Sequence, residues 1–293
     1  MKSISVCLEV GSMRYRKTDA YDKKILDIIK NAPDNYEELG CISGSKISKA
    51  TLPAILTMLG VDGTYDGYTK RKFKRGHDVE ALFVEMLTGI APNEQKDCEW
   101  QEPKPNYPIT GKFMLQAQPK AGYRGMTNSV DLLEDIGHSM IVHEIKSATK
   151  LAFDKVNGSG RSSKNENPEP HEHYAIQVAS YSLSDWGKPV ANAILHYVNA
   201  DDYRVASFFV NYKEFKPTID ENIDAIQKAF KNKIFPIFEP KNEWEKVKKY
   251  LGWVEEWAGL NSLQIAEKIR VQHPEAYELF MKTTIDDTGK HIK

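Results

Sequence analysis

The spacing of apolar residues changes period twice along the chain. In the first 70 residues it is helical. Tyr21, Ile25, Ile28 and Ile29 share one face after a capping Thr18, and Pro33 stops the run. A second helix is predicted from Thr51 to Leu59, with Pro53 in its first turn and Gly60 past its end. Residues 76–90 carry a broad stripe of Val79, Leu82, Phe83, Met86, Leu87 and Ile90. The period then drops to two. Residues 112–118, 124–134 and 139–147 read as strands, the last two joined by a turn at Glu134-Asp135-Ile136-Gly137. A polar loop at 155–173 precedes a helix at 173–186. Strands at 192–198 and 204–210 follow, joined through Asn199-Ala200-Asp201-Asp202. Beyond residue 213 the spacing is helical again. Trp244, Val247, Leu251, Val254 and Ala258 form one stripe, expected to pack on the core, and Pro274 opens a last short helix. The order predicts a mixed α/β core in one domain: a helical extension at 1–70, a core at 71–212 and a helical part at 213–293.

Composition narrows the class. The chain has 293 residues, 41% of them apolar, enough to bury a sizeable core. No apolar run approaches the roughly 18 residues that span a bilayer, and the N-terminal stretch lacks the apolar segment of a secretory signal. Cys7, Cys41 and Cys98 are odd in number and far apart. They offer neither a disulfide framework nor a zinc spacing, which fits a reducing, cytoplasmic setting. The 41 acidic and 40 basic side chains nearly cancel, so a polyanionic partner has to be met by local patches.

Four groups of residues are candidates for chemistry. The first is Glu144-Ile145-Lys146. Period two places Val142, Glu144 and Lys146 on one face of the strand, and a carboxylate and an ammonium are costly to bury there unless each finds a partner. Glu-x-Lys recurs at Glu94/Lys96, Glu102/Lys104, Glu214/Lys216 and Glu239/Lys241, but only the copy at 144 lies inside a clear apolar strand. The second is Asp131 on the preceding strand, which the hairpin brings back toward Glu144. Two carboxylates held together repel, and a divalent cation relieves that repulsion. The third is Glu80, inside the apolar stripe of helix 76–90. The fourth is Gln177 with Tyr181, at i, i+4 on one helical face. Taken singly, each has an ordinary reading: a surface ion pair, a glutamate at the edge of a stripe, a tyrosine packed beside a glutamine.

In this order the set resembles the PD-(D/E)XK nucleases, in particular their RecB-like and lambda-exonuclease-like branches, over residues 75–210. RGHDVEALFVEML is similar to their first motif, with Gly76 four residues before Glu80. SVD resembles the Ser-Pro-Asp of lambda-type exonucleases, with Val130 in place of proline. The resemblance implies a restriction-endonuclease-like mixed sheet flanked by helices, and a metal-dependent DNA nuclease, more an exonuclease than a site-specific endonuclease, working in recombination, repair or phage replication. It implies Mg²⁺ or Mn²⁺, one ion or two, held by Glu80, Asp131, Glu144 and the Ile145 carbonyl. Lys146 would sit beside the scissile phosphate, with Gln177 and Tyr181 orienting the backbone or Lys146. The branch that binds an iron–sulfur cluster has cysteines in a C-terminal segment. NEWEKVKKYLGW has none, so no cluster is expected.

DNA has to be gripped near the site. Lys70, Arg71, Lys72, Lys74 and Arg75 lead into the helix bearing Glu80, and Arg161 and Lys164 lie on the polar loop. Two rival functions remain. A nucleic-acid-binding or scaffold protein on the same fold would normally have lost one of the acids. A glycoside hydrolase using the same carboxylates leaves Lys146 and the basic run without a purpose.

Overall fold

The long apolar strand at the centre of the sequence is also the centre of the fold. The computed structural model describes residues 42–61, 67–159, 168–239, 257, 259–285 and 291–292. Two short helices come first, α1 (Gly44–Ile47) and α2 (Thr51–Met58), followed by the long α3 (Gly67–Thr88). The sheet strands are β1 (Trp100–Gln101), β2 (Lys112–Ala117), β3 (Val130–Asp135), β4 (Met140–Ala148), β5 (Val190–Asn199) and β6 (Val205–Val210). Helices α4 (Lys150–Val156) and α5 (Glu172–Ser182) lie in the crossover from β4 to β5, and α6 (Lys216–Asn232) follows the sheet. Helices α7 (Ser262–Gln272) and α8 (Pro274–Lys282) and a strand pair, β7 (Thr284–Ile285) with β8 (His291–Ile292), complete the described chain.

The six strands lie in sequence order, and every neighbouring pair is antiparallel except β4 and β5. A parallel pair needs a crossover connection, and α5 supplies it. The architecture is therefore mixed α/β, with helices on both faces of a mixed sheet. Alternation along β4 separates two cores. Val142 faces Leu133, Ala193 and Leu195 together with α1, α2, α5 and α6, while Ile145 faces Leu132, Phe113 and Val198 under Val79, Phe83 and Val84 of α3.

The predicted elements need four corrections. Helix α3 begins at Gly67, so Lys70–Arg75 is its first part and not a lead-in, as expected for a run of good helix formers. Strand β3 begins at Val130 and not near 124. Tyr123–Gly125 is instead a short 3₁₀ turn with Arg124 left-handed, tied to α6 through Asp220 and Asp224. The polar loop begins later than expected, because α4 occupies its first residues. The chain after 213 is not wholly helical, since β7 and β8 pair. The helix of Tyr21–Ile29, the stripe from Trp244 to Ala258, and Arg161 and Lys164 fall outside the described residues.

The N-terminal extension shares the core of the sheet. Ile47, Leu52, Ile55 and Leu56 are fully buried in it, and the Asn222 amide of α6 donates to the Ile47 carbonyl at 3.0 Å. Among the described residues no helix is long and apolar enough to cross a membrane.

Candidate active site

Where β3 and β4 part, they leave a gap that Asp131 fills. Their ladder runs from Asp135↔Met140 to Leu132↔His143 and stops there, although both strands continue. Beyond that point the Ile145 N–H donates to Asp131 Oδ2 at 2.6 Å, so a side chain replaces the missing backbone partner. The same register places Asp131 across from Glu144.

Glu144 is buried, and its two oxygens have different fates. Oε1 is paired with Lys146 Nζ and accepts from Gln177 Nε2 at 2.8 Å. Oε2 is buried with no hydrogen-bond partner. Gln177 also donates to the Tyr181 hydroxyl at 2.7 Å, so its amide nitrogen serves the carboxylate and the phenol together. The i, i+4 spacing on α5 that predicted this pair is what makes the contact.

Glu80 comes from α3, which packs on the other face of the sheet from α5. Its Oε1 accepts from Gln116 Nε2 at 3.1 Å, and Ser129 Oγ donates to Gln116 Oε1 at 3.2 Å. Gln116 sits opposite Asp131 on β2 in the left-handed region, at φ 47°. Gly76 lets α3 come close: a β-carbon there would lie 3.2 Å from Ser147 Oγ of β4.

The charges explain the electrostatics. Burial, then the negative charges of Asp131 and Glu144, push the Glu80 carboxyl up to about 8. Burial and Asp131 raise Glu144 to about 8 even with Lys146 beside it. Burial also raises Asp131, against the opposing pull of Lys146, the Ile145 N–H, His77 and Gln116. Burial opposes the charge of Lys146, but Glu144 and Asp131 outweigh it and hold the ammonium well above its ordinary range. Burial, then Glu144, keeps the Tyr181 phenol protonated. The carboxylates thus feel one another strongly. Even so, among the described residues no three His, Cys, Asp or Glu side chains are grouped as a metal-binding cage.

All six predicted side chains, Glu80, Asp131, Glu144, Lys146, Gln177 and Tyr181, lie around the point where the central strands β3 and β4 part. Sequence reasoning missed Gln116, Tyr174 and Gly44. Tyr174 lies three residues before Gln177 on the same helical face, and Lys146 Nζ stands 5.1 Å from its ring centroid. Its i, i+3 spacing was a readable signal. Gln116 had no such signal, because its role depends on a backbone kink.

The basic run is divided. Arg71, Lys72, Lys74 and Arg75 are exposed and Lys70 is half-buried. Arg75 is committed to the β5–β6 hairpin, where its guanidinium donates to Asp201 and to the Ala200 carbonyl.

On the opposite face a second polar chain crosses the sheet. Glu134 accepts the N–H groups of Thr110 and Gly111, at 3.0 and 3.1 Å, and its other oxygen is 3.4 Å from His143 Nε2. His143 Nδ1 is 3.1 Å from His196 Nε2, and His196 Nδ1 is 2.8 Å from Ser207 Oγ. If the Glu134 carboxylate accepts from His143, every donor in this chain points toward it, which fixes both tautomers.

No known family profile matches the chain, and no curated protein matches it. Among solved structures, the crystal structure of SSO0001 aligns at 15% identity with a TM-score of 0.41, over 82% of this chain and 98% of that one.

Proposed function

We propose that the protein is a metal-dependent phosphodiesterase acting on DNA, with an exonuclease favoured. One observation carries the reading. Two carboxylates on neighbouring central strands and a third on a helix lie near enough to repel one another where those strands part, beside a lysine held charged, and one buried oxygen, Glu144 Oε2, has no partner. The donors are hard oxygens, the chemistry that Mg²⁺ and Mn²⁺ prefer. Asp131, Glu144, the Ile145 carbonyl and Glu80 are the groups that would hold the ion, which when bound polarises a phosphoryl oxygen and acidifies water. Lys146 presents its ammonium to the phosphate and balances charge developing in the transition state. Gln177 holds Glu144 and Tyr181 in place and so fixes the side of the site that Lys146 occupies. Exposed Arg71, Lys72 and Lys74 on α3 offer contacts to the flanking phosphates.

A second reading, a nucleic-acid-binding or scaffold protein, is favoured by the lack of a grouped metal cage among the described residues. Digestion of end-labelled duplex and single-stranded DNA with and without Mn²⁺ separates the two. Mn²⁺-dependent loss of label supports the nuclease, while binding without cleavage under any divalent ion rejects it.

A further inference from the structure

Glu80 divides its two oxygens as Glu144 does. Oε1 is taken by Gln116, and Oε2 faces His77, one helical turn earlier on α3, whose Nδ1 is 3.9 Å away. That separation is too long for a hydrogen bond and short enough for a single bound atom to bridge. His77 is also near enough to Asp131 for its charge to oppose the rise of that carboxyl's pKa. Its side chain is nevertheless 79% exposed, against 23% for Glu80. His77 is thus the exposed neighbour of carboxylates that are themselves largely withdrawn from water. As an ion pair this long, open contact would count for little.

As a ligand set it is more telling. Donors in adjacent positions on an octahedral ion, with bonds of about 2.1 Å, lie about 3 Å apart. His77 and Glu80 reach that spacing by closing about 1 Å, which an exposed side chain on a helix surface can do by a rotamer change. We propose that His77 is a nitrogen ligand of the divalent ion, joining Glu80 and Asp131 on the solvent side of the site, and that it biases the site toward Mn²⁺ over Mg²⁺. The proposal rests on the metal-holding site read above and adds one donor to its oxygen set. Mg²⁺ keeps to oxygen ligands and retains its waters, whereas an imidazole nitrogen strengthens the hold on first-row transition ions.

The test adds Mn²⁺ alone to the full chain and reads electron spin-echo modulation, with calorimetric titration of Mn²⁺ and of Mg²⁺ beside it. A directly bound imidazole gives a nitrogen modulation that carboxylates and water do not give. The modulation is expected in the unaltered protein and should vanish in His77→Ala. The same variant should weaken Mn²⁺ binding about tenfold and leave Mg²⁺ binding within about twofold. His77→Gln keeps a polar group able to hold a bridging water, and should fail as His77→Ala does. Full Mn²⁺ affinity in His77→Gln means that water fills the gap, and overturns the proposal. Equal loss of both ions in His77→Ala overturns the bias toward Mn²⁺. Bound Mn²⁺ without nitrogen modulation, in a protein that cleaves DNA, overturns the ligand and leaves the nuclease reading intact. Nitrogen modulation without cleavage of any strand supports the ligand and overturns the nuclease. Neither Mn²⁺ binding nor cleavage overturns both.

Discussion

Asp131 Oδ2 takes the Ile145 N–H at 2.6 Å, at the point where the β3–β4 ladder has already ended. This contact makes Asp131 a structural wedge between two strands as well as an acid in the site. Its removal and that of Lys146 should both cost stability, for different reasons. Lys146→Ala is expected to lower Mn²⁺-dependent cleavage about 10²–10³-fold, and it also strips the buried Glu144 carboxylate of its countercharge, which destabilises the fold. Asp131→Ala should remove activity and also cost about 1–3 kcal/mol, because it leaves a buried N–H unsatisfied. Asp131→Asn keeps an acceptor for that N–H and should recover stability without recovering activity. Cleavage rates beside chemical-denaturation curves check all three, and full activity in any of them rejects the site.

Crowded acids should make the protein sensitive to alkali in a way that a divalent ion relieves. Glu80 and Glu144 have an ordinary value of 4.5 and are raised to about 8 in the fold. Between these values the folded chain holds protons that the unfolded chain has released. The stabilising contribution is therefore full below about pH 4.5 and is lost as pH rises through 8. Glu80→Gln removes one of these charges and is expected to raise stability at pH 8 by about 1–3 kcal/mol. Mn²⁺ should raise the Tm of the unaltered protein more at pH 8 than at pH 6, EDTA should reverse the gain, and Glu80→Gln should blunt it. An unchanged Tm with Mn²⁺ at pH 8 counts against an ion at this site.

How much of this was legible depends on the range of the interactions. Period two in SMIVHEIKS put Glu144 and Lys146 on one strand face, and period 3.6 in HYAIQVASYSL put Gln177 beside Tyr181. Both are contacts within one element, and both hold. The expected turn near 136 carried Asp131 to Glu144, because hairpin register follows from loop length. Gln116 was invisible. It reaches Glu80 from a left-handed position in the middle of an apparently regular strand. The expected helix start at residue 76 also moved. The basic run reads as leading into that helix, but its residues favour helix and continue α3 back to Gly67. That Gly44 packs on Tyr181 depends on long-range docking of α1, which no local pattern reports.

Acid should loosen the opposite face of the sheet. Burial, reinforced by neighbouring His143, lowers His196 from 6.5 to about 3. A histidine held neutral in the fold takes up its proton only in the unfolded chain. Stability is therefore full above about pH 6.5 and falls as pH drops toward 3, with a slope approaching about 1.4 kcal/mol per pH unit. Glu134 acts in the same direction. Burial raises it, but hydrogen bonds from His143, Gly111 and Thr110 prevail and hold it below its ordinary value. His196→Gln should flatten the profile of unfolding free energy between pH 6.5 and 4, at some cost at neutral pH. An unchanged slope would mean that this histidine is not kept neutral.

The N-terminal segment should control the site through a single glycine. Gly44 opens α1 directly against α5, and a methyl group there would overlap Ser180 Oγ and the ring of Tyr181. Its N–H donates to Asn128 Oδ1 at 3.0 Å, and Asn128 in turn donates to Ser184 Oγ at 2.8 Å, so α1 cannot simply back away. The strain of Gly44→Ala must fall on Ser180 and on Tyr181, whose hydroxyl is held by Gln177, the residue that also holds Glu144. Overpacking of this kind costs about 1–3 kcal/mol. Gly44→Ala is therefore expected to lower both stability and cleavage. Adding Tyr181→Phe should not relieve the strain, since the overlap is with the ring and not the hydroxyl. Adding Tyr181→Leu removes the ring but not the overlap with Ser180 Oγ, and should recover part of the stability without recovering activity. Thermal unfolding and Mn²⁺-dependent cleavage measured on the three variants separate the packing effect from the loss of the phenol.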